Sequence, residues 1–146
     1  MSKPKWLEIA EFEIGVNEVK GGENPRIIEY HSTTTLRAKE DEVSWCSSFV
    51  NWCMKQAGIK GTGLANARSW LDWGQKLEYP IEGCVVVLKR GVNPKSGHVG
   101  FFINKKNGWV KVLGGNQSDQ VKYSNFKETE VLGYREPIVK GSANVA

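Results

Sequence analysis

The 146-residue chain has little of what metal centres and disulfide frameworks are built from: two histidines and three cysteines. No Cys-x-x-Cys or His-x-x-x-His spacing occurs, which argues against a zinc site, and neither metal nor cofactor is expected. Three thiols cannot all pair with one another. Cys46 and Cys53 lie seven residues apart on what reads as one helix, about 10 Å along its axis, which exceeds the reach of a disulfide. Reduced thiols are therefore expected. No apolar run approaches the length of a bilayer span, and Met1 to Trp6 contains no apolar signal core. These absences predict a chain made in the cytoplasm without a signal peptide and without stable membrane insertion. Long basic runs are absent too. The net charge is +4 and the pI about 9.0, but Lys89-Arg90 and Lys105-Lys106 are the only adjacent basic pairs, so no nucleic-acid partner is expected. A mild positive charge still draws a protein toward polyanions such as the cell wall, although many such charges only keep a surface solvated.

The hydrophobic (40%) and charged (25%) fractions are those of a globular protein. The length fits one domain, expected as a monomer with a core over about residues 4–137 and a short flexible tail over 138–146. Neither repeats nor low-complexity stretches occur. Pro4 to about Glu18 reads as a helix, Gly21 to Pro25 as a turn cluster, and Arg26 to His31 as a short helical turn. Asp41-Glu42-Val43-Ser44 leads into a helix over about Trp45 to Ala57, with Cys46, Phe49, Val50, Cys53 and Ala57 on one buried face. The two acids suit a helix N-terminus better than a cation site. A third helix is predicted over Ala65 to Trp73. Strands follow at Cys84–Leu88, His98–Ile103, Gly108–Leu113 and Val131–Tyr134, with Asn107-Gly108 as a hairpin turn. Helices first and an antiparallel meander after them make an α+β fold.

Three local sequences carry chemistry. Cys46 stands at the first turn of its helix, where unpaired N–H groups and the helix dipole favour a thiolate, the nucleophilic form. His98 opens a strand between Gly97 and Gly100, which permit close approach of backbone or substrate. Asn116 ends the next predicted strand, so antiparallel pairing returns it beside His98, placed to fix the imidazole tautomer. Each residue also has an ordinary reading. A helix Cys is usually a small core hydrophobe, which is the reading for Cys53 and Cys84, while for Cys46 alone both readings stand. A lone His is more often structural, and Asn after two glycines usually forms a turn. The coincidence of all three raises the catalytic reading.

Taken in order, Asn24-Pro25, Trp45–Trp52, Ala67–Leu71, Gly97–Phe101, Leu113–Gln117 and Leu132–Arg135 resemble the CHAP and NlpC-type branch of papain-like cysteine peptidases and amidases. The likeness is closest to a CHAP-like set of phage and bacterial proteins and covers about residues 4 to 137. It implies a papain-like fold with N-terminal helices packed on a small antiparallel sheet. It also implies Cys46 as nucleophile and His98 as base. Many relatives carry a Glu on the third strand where this chain has Gly114, which leaves Asn116 as the orienting residue. The resemblance further suggests Cys46 N–H and Ser44 at an oxyanion hole, Trp45, Trp70 and Trp73 as walls of a cleft, and Arg68 as a grip for a substrate carboxylate. Gly97 and Gln117 are counted with the substrate-contacting residues.

The implied activity is hydrolysis of an amide in peptidoglycan, either the muramoyl–alanine link or a stem-peptide bond, through a cysteine thioester. An endolysin-like enzyme would reach the wall after membrane permeabilisation. A delivered antibacterial toxin, a non-catalytic wall-binding module and an acyltransferase on the same thiol are the alternatives.

Overall fold

A computed structural model of the protein describes residues 3–19, 23–35 and 44–138. The Gly21-Gly22 turn, the acidic Asp41-Glu42-Val43 segment and all of the expected tail except Ile138 lie outside these residues. Three helices come first: α1 (Lys5–Phe12), α2 (Pro25–His31) and α3 (Cys46–Gln56). A 3-10 helix (Ala67–Asp72) leads to six strands: β1 (Gln75–Leu77), β2 (Val85–Lys89), β3 (Gly97–Lys106), β4 (Trp109–Gln117), β5 (Gln120–Lys127) and β6 (Val131–Glu136). They form one antiparallel sheet in the order β1-β6-β2-β3-β4-β5. The α+β architecture read from the sequence is the one observed.

Details differ for local reasons. The first helix stops at Phe12 instead of about Glu18. Gly15 takes φ +103°, and the chain leaves the helix to bond β5 through Gly15 N–H to Val121 O (3.0 Å), Val121 N–H to Val16 O (2.8 Å) and Glu18 N–H to Asp119 O (2.9 Å). Those bonds cover an otherwise bare strand edge. The expected Ala65–Trp73 helix is a shorter 3-10 helix. β1 and β5 were not anticipated. β1 has only three residues, and in β5 Val121 alone is fully buried, so neither carries a strong apolar alternation.

α3 is enclosed on all sides, not on one face: every residue from Cys46 to Met54 is buried. α1 and α2 pack on one side and the sheet on another, through Val85, Val87, Val99, Phe101 and Leu113. Buried polar groups must find partners, and those on α3 do. Ser47 Oγ donates to Leu64 O (2.7 Å) and accepts from Trp70 Nε1 (2.9 Å), while Asn51 Oδ1 accepts from Gly63 N–H (2.8 Å). These bonds fasten the 61–64 loop and the 3-10 helix to α3. Tyr30 Oη donates to Glu13 (2.6 Å), which also pairs with Arg26 (3.2 Å). Arg26 in turn reaches Glu29 (3.1 Å), and Glu29 accepts from Trp52 Nε1 (2.7 Å), so the three helices are tied together. A second apolar cluster of Val86, Leu88, Phe102, Val110, Val112 and Tyr134 belongs to the strands themselves.

Candidate active site

Cys46 is the first residue of α3. The first bond inside that helix is Phe49 N–H to Trp45 O (2.9 Å), so the N–H groups ahead of it have no acceptor within the helix. β3 starts at Gly97, and His98 follows, paired with Leu88 of β2. Arg68 Nε donates to Ser96 O (2.6 Å) and so fixes the approach to that strand from the 3-10 helix. The two elements meet. Burial pushes the Cys46 thiol up, but a hydrogen bond and charge interaction with His98, the Val99 N–H and the Arg90 guanidinium outweigh it, and its pKa falls from 9.0 to about 7. At neutral pH that shift raises the thiolate from about 1% to roughly half of the molecules. Cys53 and Cys84 have no such neighbours. Burial drives Cys53 well above the ordinary range and Cys84 up to about 12, so both are core thiols held in the protonated form.

The imidazole is held from its other side. His98 Nε2 lies 2.8 Å from Gln117 Oε1, and the Phe126 ring lies against it at 5.3 Å between centroids. Gln117 is itself fixed: its Nε2 donates to Lys122 O (2.6 Å) and Val112 O (3.3 Å). A flipped amide would set its oxygen against two carbonyls, so Oε1 must face His98. Because an amide oxygen only accepts, His98 Nε2 carries a proton and Nδ1 is left for the thiol.

The expectation for Asn116 is therefore corrected to Gln117. In a regular strand Gly114 and Asn116 share a face, and Gly114 does face His98: a Cβ there would lie 2.6 Å from Gln117 Oε1 and 3.4 Å from His98 Nε2. Between Gly114 and Gln117 the β4–β5 register shifts, and Asn116 takes φ +57°. This bulge turns the next side chain inward, and the Asn116 amide donates to Ser44 Oγ instead (3.4 Å). Gly114 lacks a side chain where the Gln117 amide needs space. Gln117 thus contacts the imidazole, not a substrate surface.

Other expected substrate contacts also move. Trp45 and Trp70 are fully buried. Trp45 donates to Glu18 (3.0 Å) and Trp70 to Ser47, so both are core residues and not cleft walls. Trp73 lines a separate groove of about 470 Å³ with Ile59, Gly74 and Pro137. The Nε of Arg68 is spent on Ser96, and the close neighbours of Gly97 are Leu88 O and the Arg68 side chain. Ser44 remains exposed beside Cys46. Arg90, which the sequence reading passed over, places Nη2 3.4 Å from His98 Nδ1; it stands just past β2, two residues beyond Leu88, the ladder partner of His98, and that spacing was the available signal.

The CHAP domain model matches residues 38–116, more than half of the chain. The chain belongs to the CHAP domain family. The match takes in Cys46 and His98 and ends one residue before Gln117, so the partner of the imidazole in this CHAP chain lies just past it. A comparison with curated protein sequences finds no match. Among solved structures, the fold is similar to an NLP/P60-family lipoprotein-like protein from Staphylococcus aureus, at 19% identity and a TM-score of 0.57 over 92% of this chain and 41% of that one. It is similar to the endolysin LysIME-EF1 at 15% identity and a TM-score of 0.63 over 97% and 67%. The peptidoglycan hydrolase RipB from Mycobacterium tuberculosis aligns at 14% identity and a TM-score of 0.59 over 92% and 64%. This CHAP chain thus spans less than half of the first of these proteins and about two thirds of the other two. The papain-like fold expected from the motifs is shared with these structures, the first of which is of the NLP/P60 family. Among the described residues, no helix is long and apolar enough to cross a membrane, and no group of three or more His, Cys, Asp or Glu side chains is placed to hold a metal ion.

Proposed function

We propose that the protein is a cysteine hydrolase that cleaves an amide bond of peptidoglycan, in the stem peptide or at the muramoyl–alanine link. The reading rests on one observation: a thiol at the start of a helix, with a pKa lowered to about 7, hydrogen-bonded to an imidazole whose far nitrogen is fixed by Gln117. Membership of the CHAP family supports it, as does the shared fold with a protein named as an endolysin and another named as a peptidoglycan hydrolase. The net positive charge suits an anionic wall polymer.

In the proposed reaction His98 Nδ1 takes the Cys46 proton and the thiolate sulfur bonds to the amide carbonyl carbon. The resulting oxyanion accepts hydrogen bonds from the Cys46 N–H, with the Ser44 side chain as a second donor. Collapse breaks the C–N bond, and the departing amine leaves with the proton from Nδ1. Water then gives a proton to Nδ1 and attacks the thioester, releasing a carboxylic acid and restoring the thiol. Gln117 holds the tautomer throughout and contributes no charge.

Digestion of purified sacculi tests this. The wild-type protein is expected to release soluble muropeptides, with their masses identifying the bond cut, and Cys46→Ala to release none while keeping its fold. Equal release by Cys46→Ala would remove the hydrolase reading.

A further inference from the structure

Of the four arginines among the described residues, three are spent on protein acceptors: Arg26 on Glu13 and Glu29, Arg68 on Ser96 O, and Arg135 on Leu71 O. Arg90 differs from them. It is exposed, as Arg26 is, but among the described residues no carboxylate pairs with it. Its guanidinium nevertheless reaches inward to His98 Nδ1 at 3.4 Å. The segment from Lys89 to Ser96 adds Lys89 and Lys95 and contains no acid. Cys46 and His98 are 2% and 3% exposed, so an incoming carbonyl needs a surface side chain to give way, and Arg90 is an exposed side chain with an atom at the imidazole.

A cation in this place has two consequences. Its charge favours the Cys46 thiolate, in keeping with the thiol's low pKa. It also competes for the lone pair of Nδ1 and opposes the imidazolium that the reaction must form. An anion from the substrate would relieve the second effect. We propose that Arg90 receives a carboxylate carried by the substrate next to the scissile amide, and that this contact draws the guanidinium off Nδ1 as it seats the amide at Cys46. A planar guanidinium suits this because it binds a carboxylate through two parallel N–H donors. The substrate class narrows accordingly to stem peptides with a free acid beside the cut bond, as opposed to their amidated forms. The inference rests on the hydrolase reading for its substrate but not for its electrostatics.

Two measurements keep those apart. The first is alkylation of Cys46, followed site-specifically by mass spectrometry, with iodoacetate and with neutral iodoacetamide; in both the sulfur bonds to the methylene carbon and iodide leaves. The ratio of the two rate constants is expected to be about tenfold higher in the wild type than in R90Q, with R90K, which keeps the charge but not the fork, in between. The second is kcat/KM on two muropeptide preparations that differ only in amidation of the stem carboxylates. The wild type is expected to favour the free acid about tenfold and R90Q to lose that preference. An alkylation ratio unchanged by R90Q, or a preference that survives in R90Q, overturns the proposal. Failure of the wild type to cut either preparation, with the alkylation ratio still dependent on Arg90, removes the hydrolase reading and leaves the carboxylate site standing.

Discussion

Gln117 Oε1 and His98 Nε2 stand 2.8 Å apart, and two backbone carbonyls on the far side of the amide prevent it from turning round. In the proposed reaction a neutral side chain thereby takes the orienting place that a carboxylate has in many hydrolase triads. It selects the tautomer but adds no negative charge to an imidazolium.

Replacing that amide separates orientation from folding. Gln117→Leu is expected to lower hydrolysis of sacculi by about 10²–10⁴-fold. Two carbonyls, one buried and one partly buried, lose a donor as well, at a cost of about 1–3 kcal/mol in denaturant unfolding. Asn116→Gly should lower hydrolysis far less, by no more than about tenfold, because it removes one long bond to Ser44 Oγ and leaves the partner of the imidazole in place. A large loss in the Asn116 variant with none in the Gln117 variant would restore the assignment first read from the sequence.

The thiol predicts a pH signature. With a folded pKa near 7 against 9.0 in the unfolded chain, the native state binds fewer protons than the unfolded state between these values. The Cys46 contribution to stability is therefore fully present above pH 9 and lost as pH falls through 7, a change of order 2–3 kcal/mol. The stability difference between wild type and Cys46→Ala should grow across that window. Alkylation of Cys46 by iodoacetamide should rise with a midpoint near pH 7. Cys84, pushed up to about 12, works with the opposite sign: its contribution is intact below pH 9 and fades as pH climbs toward 12. A Cys46 alkylation midpoint near 9 would contradict the first of these.

Backbone conformation gives a third expectation. Asn116 sits at φ +57°, where a β-branched side chain is strained. Asn116→Val should lower stability by about 1–3 kcal/mol, and Asn116→Gly should equal or exceed wild type in thermal midpoint. The opposite order would mean that the bulge relaxes on substitution.

Packing gives a fourth. A Cβ on Gly115 would come within 2.7 Å of the Trp45 ring and 2.8 Å of Phe49 Cβ. Gly115→Ala should therefore cost about 1–3 kcal/mol through overpacking. It should also disturb α3 next to Cys46, so activity at moderate temperature should fall with stability. Melting curves and sacculus digestion on the same preparation check both.

How far the sequence could be read follows from what kind of signal each feature leaves. The order of helices and strands was legible because α3, β2 and β3 carry strong apolar patterns and Asn107-Gly108 marks a tight hairpin. Cys46 and His98 meet because each begins an element, and element starts leave local marks. The antiparallel return of β4 and the resemblance point to Asn116 as the partner of His98 and to Gln117 as a substrate contact, and neither takes account of the strand's two-residue alternation. The bulge shifts that alternation by one, and its cause, a left-handed Asn116, has no firm local mark. Trp45 and Trp70 show the same difficulty in packing: an indole suits a cleft wall or a core equally well by composition, and only the partners Glu18 and Ser47 decide. β1 and β5 escaped notice because short or solvent-facing edge strands need little hydrophobic patterning.

The strand order has a consequence for how the chain comes into being. β6, ending at Glu136, lies between β1 and β2 inside the sheet. While a ribosome is still making the C-terminal part, the Val85–Lys89 ribbon has an open flank with nothing to hydrogen-bond to, and the residues bearing sulfur and imidazole are already synthesised. Native assembly must wait for the Val131–Glu136 stretch to emerge and slot into place. Premature termination before that stretch should therefore yield sticky, protease-sensitive fragments, not a smaller working protein.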